Sequence, residues 1–96
     1  MSFLKALFGG GKRESVAAEP TETARIDHAG FVIRATPYRT GGEYQTAGVI
    51  EKTVGGEAKS HRFVRAEKHG SVEGATDFSL MKGRQIVDQL GDGLFD

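Results

Sequence analysis

The sequence predicts an α+β domain: a three-stranded antiparallel sheet, built from two hairpins, with one face covered by a C-terminal helix. Two glycine pairs, Gly41-Gly42 and Gly55-Gly56, separate segments rich in β-branched and aromatic residues. Glycine enters left-handed backbone conformations without steric cost, so such pairs indicate hairpin turns. The third observation is the amphipathic segment from Ser71 to Leu90, which is typical of one long helix.

Length and composition limit the range of functions. Ninety-six residues make one domain. The lack of cysteine excludes disulfides and thiolate zinc sites, and it is consistent with a reducing compartment, so we expect a cytoplasmic protein. Thirteen basic residues balance thirteen acidic ones, which argues against strong indiscriminate binding to nucleic acid but leaves room for a local basic face.

The first 24 residues are predicted to lie outside the βββα domain, which spans residues 25–96. Met1 to Phe8 is short and amphipathic, with Leu4 and Leu7 on one helical face. It could lie on an anionic membrane surface, or it could fray or dock on the domain itself; we favour the second interpretation because so short a helix is marginal in water. Gly, Glu, Ala, Pro and Thr dominate the next stretch, which is typical of a flexible linker.

The predicted strands pair in a register that the Gly55-Gly56 turn determines. Val54 faces Glu57, and Gly48 then lies opposite Phe63, whose ring would cover the bare glycine backbone. Continued regularly, this register places Thr46 opposite Arg65 and Tyr44 opposite Glu67. The predicted strands are residues 31–36, which Pro37 ends, residues 43–54 and residues 57–67.

The two faces of this sheet differ in character. One face is expected to form the core, and the other, moderately polar, to face solvent. Arg65 and His61 fall on the core face, where Arg65 could reach a carboxylate on the helix; Asp88 and Asp92 are interpreted as solvated charges or as this partner of Arg65. The core face carries Phe31, Ile33, Tyr44, Ile50 and Phe63; the solvent face carries Arg34, Thr36, Gln45, Ser60 and Arg62 around Ala47, Val49 and Val64.

The helix has a clear start and end. Ser71 is the predicted N-cap, and Gly91 suits a left-handed C-cap. Small residues in the middle of its apolar stripe, Ala75, Ser79 and Gly83, would let its axis approach the sheet, leaving space for Tyr44 and Phe63 beneath. Phe78 and Met81 lie outside the stripe, where the N-terminal segment, Leu94-Phe95 or a second subunit could cover them; we expect Phe95 to dock on its own domain.

No motif in the chain predicts catalysis. No phosphate-binding loop or nucleophile motif occurs, and the spacing of His28, His61 and His69 matches no metal-ligand pattern. We therefore expect a non-enzymatic protein without a cofactor, metal site or small-molecule substrate.

Three segments resemble the short bacterial HlyU-like family: Gly48 to Lys52, His61 to Ala66, and Lys82 to Asp88. The opening MSFLKALFGGG also resembles the usual start of that family. The chain departs from the family pattern at Glu67, where aspartate is usual, and at Gly83, where alanine is usual. The family is named for transcriptional activation of haemolysin genes, so the resemblance implies a regulator of transcription, and it supplies no established catalytic or ligand residues.

Two functional hypotheses follow. In the first, the solvent face of the sheet contacts DNA, a mode known for small sheet-plus-helix modules. In the second, the protein binds another protein or forms a homodimer, without nucleic acid. The candidate DNA contacts are Arg34, Gln45, Lys59, Arg62 and Lys68; the candidate interaction surface comprises Ala47, Val49, Val64, Phe78 and Met81.

Overall fold

The computed structural model of the protein describes residues 21–96. The predictions for the N-terminal segment and for the linker up to residue 20 lie outside these residues. The elements, in chain order, are β1 (Ala24–His28), β2 (Phe31–Ala35), β3 (Tyr38–Thr40), β4 (Glu43–Val54), β5 (Glu57–His69), helix α1 (Val72–Leu90) and a 3-10 turn (Gly91–Phe95).

The sheet has five antiparallel strands, so the prediction of three strands is wrong in number. Strand β4 is central: β5 pairs with one of its edges, and both β2 and β3 pair with the other. Pro37 separates β2 from β3 because it has no N–H for the ladder. The α+β class, the antiparallel pairing and the C-terminal helix are confirmed.

Strand β1 lies largely beyond the predicted linker and adds to the outer edge of β2. Its apolar–polar alternation, with Ile26 at the centre, is the signal that the sequence offered for it. The turn that follows uses Ala29 at φ 54° and Gly30 at φ 86°. Alanine rarely adopts a positive φ, which is why this turn is not recognisable from its sequence.

The predicted β4–β5 register is confirmed from the Gly55-Gly56 turn as far as the pair Ala47–Val64. It fails beyond that pair, because an irregularity shifts the register so that Gln45 faces Lys68 and Tyr44 faces His69. The predicted pairs Thr46–Arg65 and Tyr44–Glu67 are therefore wrong. The side-chain amide of Gln45 donates a hydrogen bond to the backbone carbonyl of Arg65 in this bulge.

The predicted core face is confirmed for its aliphatic and phenyl side chains. Ile33 and Ile50 are fully buried, and Phe63 is 3% exposed. Tyr44 is an exception: it is only half-buried, outside the core cluster, with the Arg39 guanidinium carbon 5.9 Å from its ring centroid. The cluster comprises Phe31, Ile33, Ile50, Phe63, Ile86, Val87 and Leu94.

Two glycines set how closely the helix, the sheet and the core rings approach. A Cβ at Gly48 would lie 2.5 Å from Cζ of Phe63, which confirms the ring over the bare backbone, and 2.7 Å from the backbone oxygen of Arg34. A Cβ at Gly83 would overlap Cγ2 of Ile33. The close approach of the helix is therefore confirmed, but Ile33 occupies the space beneath Gly83 that was predicted for Tyr44 and Phe63.

Helix α1 has the predicted N-cap: the Oγ of Ser71 accepts a hydrogen bond of 3.1 Å from the N–H of Gly74. Gly91 is the C-cap residue as predicted, but its φ of 53° and ψ of −140° lie outside the left-handed helical conformation that was expected. Phe95 stacks on Phe31 with ring centroids 6.0 Å apart, so its docking on its own domain is confirmed. Phe78 lies elsewhere, with its ring centroid 5.0 Å from that of His69.

Ser79 joins the middle of α1 to the centre of the sheet. Its hydroxyl donates to the carbonyl of Ala75 at 2.6 Å and accepts from the backbone N–H of Ala47 at 3.1 Å. A buried N–H without a partner is costly, so this hydroxyl stabilises the strand as well as the helix packing.

The carboxylates near the end of the helix pair with partners other than the predicted Arg65. Asp88 lies 2.8 Å from Nε2 of His28, and Asp92 lies 2.8 Å from Nζ of Lys52. Arg65 is exposed on β5, with its guanidinium carbon 5.8 Å from the ring centroid of Phe63. These two contacts join β1 and β4 to the C-terminal part of the chain.

Candidate functional site

The sheet surface opposite α1, here called the open face, is the candidate functional surface. Strand alternation places on it every second residue of β4 together with the residues that pair with them on β2, β3 and β5. It comprises Val32, Arg34, Tyr38, Gln45, Ala47, Val49, Glu51, Ser60, Arg62, Val64 and Lys68.

The centre of the open face is apolar. Ala47 and Val49 are 4% and 6% exposed, so these two candidate interaction residues lie within the packed structure. Tyr38 and Val64 are each 48% exposed and supply its accessible apolar surface. Phe78 and Met81 lie on α1, so the structure does not bring them together with the other interaction candidates.

Arg34 is held between two carboxylates. Its Nε lies 2.8 Å from Glu22, and its Nη1 lies 3.0 Å from Glu51. Arg25 also contacts Glu22 at 2.7 Å. Hydrogen bonds from Arg25 and then Arg34 lower the pKa of Glu22 to about 2, and the bond to Glu22 raises the pKa of Arg34. The charge of Arg34 is thus largely compensated within the sheet, which weakens its case as a phosphate contact.

The other DNA candidates occupy different environments. Arg62 and Lys68 are exposed on the open face. Lys59 pairs with Lys52 across the hairpin, and its Nζ lies 3.4 Å from Glu57. The amide of Gln45 is engaged by the Arg65 carbonyl. The structure therefore brings Arg62 and Lys68 onto one accessible surface and leaves Lys59 on the helix side.

Strand β5 carries basic residues at every third position: Lys59, Arg62, Arg65 and Lys68. Among the strands of residues 21–96, β5 pairs with β4 alone, so no other strand of this part of the chain pairs with its outer edge. A spacing of three places successive residues of a strand on opposite faces, so these four cations do not all share one surface.

A groove of about 640 Å³ lies near the β4–β5 turn, between Val32, Glu51 and Ser60. Within residues 21–96, no group of three or more histidine and carboxylate side chains is placed to hold a metal ion. In the same part of the chain, no helix combines the length and the apolar character needed to cross a membrane.

The fold and the open face define a small α+β module with one helix-packed surface and one accessible, partly basic surface. The chain belongs to the family described as transcriptional activator HlyU, whose model matches residues 2–95. The resemblance seen in the sequence is thereby confirmed, and the family indicates a regulator of transcription rather than an enzyme. Searches of the curated proteins and of the solved structures each find no match.

Proposed function

We propose that this protein regulates transcription by contacting the phosphate backbone of duplex DNA through the basic residues of β5, with Arg62 and Lys68 as the central contacts. The exposure of Arg62 and Lys68 together on the open face is the observation that carries the proposal. Phosphate contacts position a protein on DNA without reading its sequence, and they need accessible cations more than they need a deep pocket.

The spacing of these two cations suits a shallow contact. Arg62 and Lys68 are six positions apart, which corresponds to at most roughly 20 Å along a strand. Glu57 and Glu67 lie on the same strand and reduce its field. We therefore expect binding that is weak and strongly dependent on salt, in keeping with the neutral balance of the whole chain.

Fluorescence anisotropy of a labelled duplex, measured over a range of salt concentrations, tests this proposal. Arg62→Ala and Lys68→Ala should each weaken binding and each reduce the slope of log K against log salt by about 1. Lys82→Ala is the matched control, because it removes one positive charge from α1, far from the open face. Lack of binding at low salt, or an equal loss in the control, would contradict the proposal.

A second candidate function, binding of a protein partner, is supported by the exposure of Tyr38 and Val64 on one face of the sheet. Apolar side chains that are half exposed on a sheet surface suit a protein contact. The substitution Val64→Glu should abolish such binding while the fold persists, whereas Val49→Glu would disrupt the packing of a buried residue.

A pull-down from native lysate, with and without nuclease, separates the two functions. Retention of a protein after nuclease treatment, and its loss with Val64→Glu, would support the second function. Loss of all captured material on nuclease treatment would support DNA contact.

A further inference from the structure

The outer edge of β5 is unoccupied by any other strand of residues 21–96. Helix α1 packs mainly over β2 and β4, so it leaves this edge clear for another strand. A strand edge presents unpaired backbone N–H and C=O groups, and a strand of complementary register can add to it.

The turn between β4 and β5 decides which residues of β5 point their backbone groups outward. Gly55 and Gly56 have φ values of 60° and 83°, as in a two-residue hairpin turn, whose flanking pair Val54–Glu57 exchanges hydrogen bonds. Backbone direction alternates from there along the strand. Up to the bulge, the residues that point outward are Ala58, Ser60, Arg62 and Val64.

One of these outward groups is already used as an acceptor. The Nη1 of Arg65 donates a hydrogen bond of 3.3 Å to the backbone carbonyl of Val64. This hydrogen bond is local, because Arg65 directly follows Val64 on the same strand. A backbone N–H of a second strand can therefore replace the guanidinium as the donor to this carbonyl. The side chain of Arg65 is then available for another partner.

We propose that two copies of this chain pair antiparallel through β5, about a two-fold axis at His61, and so join their sheets into one. In this register Ala58 faces Val64 of the other copy, and Ser60 faces Arg62. All four outward-pointing residues of the regular part of β5 are then hydrogen-bonded. The same register keeps both helices on one side of the joined sheet, because residues that face each other share a face.

The charges on β5 favour this register over its neighbours. It places Glu57 of each copy opposite Arg65 of the other, and the only ionisable residues of the same kind that face each other are the two His61 side chains at the axis. A shift by two residues towards the bulge would place Arg62 opposite Arg62 and Lys59 opposite Arg65. A shift the other way would place Val64 opposite Gly56 of the turn and leave its backbone unpaired. Edge charges commonly prevent indiscriminate pairing, and here they select one arrangement.

The dimer does not depend on DNA contact, and it can be measured without nucleic acid. It would place Arg62 of both copies near the two-fold axis, next to each other's Ser60. A failure of DNA binding would therefore leave the dimer intact, and a failure of dimerisation would leave the phosphate contacts of a single copy to be judged by their own salt dependence.

Sedimentation equilibrium of the full chain, in the absence of DNA, tests the proposal. We expect a reversible dimer for the unmodified protein. Glu57→Arg and Arg65→Glu should each raise the dimer dissociation constant about tenfold, since two exposed ion pairs become two repulsive pairs. The double variant with both substitutions should return to within about twofold of the unmodified protein, because it restores opposite charges in the same register.

Two further variants distinguish pairing through the β5 edge from a general effect of net charge. Lys68→Glu makes the same change in net charge as Arg65→Glu but lies outside the paired segment, so it should leave the dissociation constant within about twofold. Ser60→Pro removes an N–H that points away from β4, so it should abolish the dimer while circular dichroism shows a retained fold. A monomer at millimolar concentration, a dimer that persists with proline at position 60, or a double variant no better than the single ones would each overturn the proposal.

Discussion

The two faces of this sheet are built by different physical means. On the helix face, glycines allow the backbone to approach neighbouring side chains closely, as the helix does where Gly83 packs against Ile33. On the open face, ion pairs around Arg34 and half-exposed apolar side chains surround a small buried centre. This difference indicates that almost no side-chain volume can be added on the helix face. Side chains on the open face can be substituted with less effect on packing, so this face is the one suited to contacts with other molecules.

The largest effect should come from Gly48→Ala. The new Cβ would meet the ring of Phe63 and also the backbone oxygen of Arg34, and the backbone cannot move aside without distorting the sheet. We expect a loss of about 3 kcal/mol in the free energy of unfolding, measured by urea denaturation.

Gly42→Ala is the matched control for that substitution. Gly42 lies in the other hairpin turn with no atom within 4 Å of a Cβ placed there. Its substitution should change stability by less than about 0.5 kcal/mol. Equal losses of stability for Gly48→Ala and Gly42→Ala would refute the view that close packing on the helix face excludes added side-chain volume.

A smaller effect is expected from Gly83→Ala, since two contributions oppose each other. Alanine improves helix propensity by about 1 kcal/mol, but its methyl group overlaps Ile33. Overpacking costs about 2 kcal/mol, so the net loss should be about 1 kcal/mol. In an Ile33→Ala background the same substitution should stabilise the protein by about 1 kcal/mol, because the overlap is gone. A loss of equal size in both backgrounds would show that Ile33 is not the limiting contact.

On the open face, the contribution of the side chains to the free energy of unfolding should depend on pH more than on side-chain volume. The pKa of Glu22 is lowered to about 2 by Arg25 and Arg34, so its ionised form stabilises the folded state above its ordinary pKa near 4.5. This contribution is lost as the pH falls from about 4.5 to about 2. The difference in the free energy of unfolding between the unmodified protein and Glu22→Gln should therefore shrink over that range.

Glu43→Gln provides the comparison for the acid titration, because Glu43 is exposed on β4 without an ion pair to any residue within 21–96. This variant shows how much the removal of an exposed carboxylate without such ion pairs changes the free energy of unfolding at each pH. If Glu22→Gln were as stable as the unmodified protein at neutral pH, the ion pairs of the open face would have no role in folding.

Local patterns predicted much of this fold. The Gly55-Gly56 turn and the phenyl ring over Gly48 were sufficient to fix most of the β4–β5 register. The capping residues Ser71 and Gly91 predicted where helix α1 begins and ends. These features depend on residues close in sequence or on a register counted from one turn, so they can be predicted without knowledge of the tertiary structure.

The features that the sequence did not reveal depend on long-range contacts. The bulge opposite Thr46 has no local turn residue to mark it, and Arg65 lies within it, exposed, with its guanidinium carbon 5.8 Å from the ring centroid of Phe63. Strand β1 has only a five-residue alternation of its own, and its place in the sheet depends on pairing with β2. For the candidate site, alternation predicted that Arg62 would be exposed, but not that Glu22 would compensate Arg34 across the turn.

The hydrogen bond from the Ala47 amide to the Ser79 hydroxyl connects the backbone of the sheet to the packing of the helix. If the helix detaches while the strands stay paired, that amide loses its acceptor and becomes free to exchange with solvent deuterium. Its exchange rate would thus report the docking equilibrium of the helix separately from the melting of the sheet, so that a single nuclear magnetic resonance signal can distinguish partial from complete opening of the molecule.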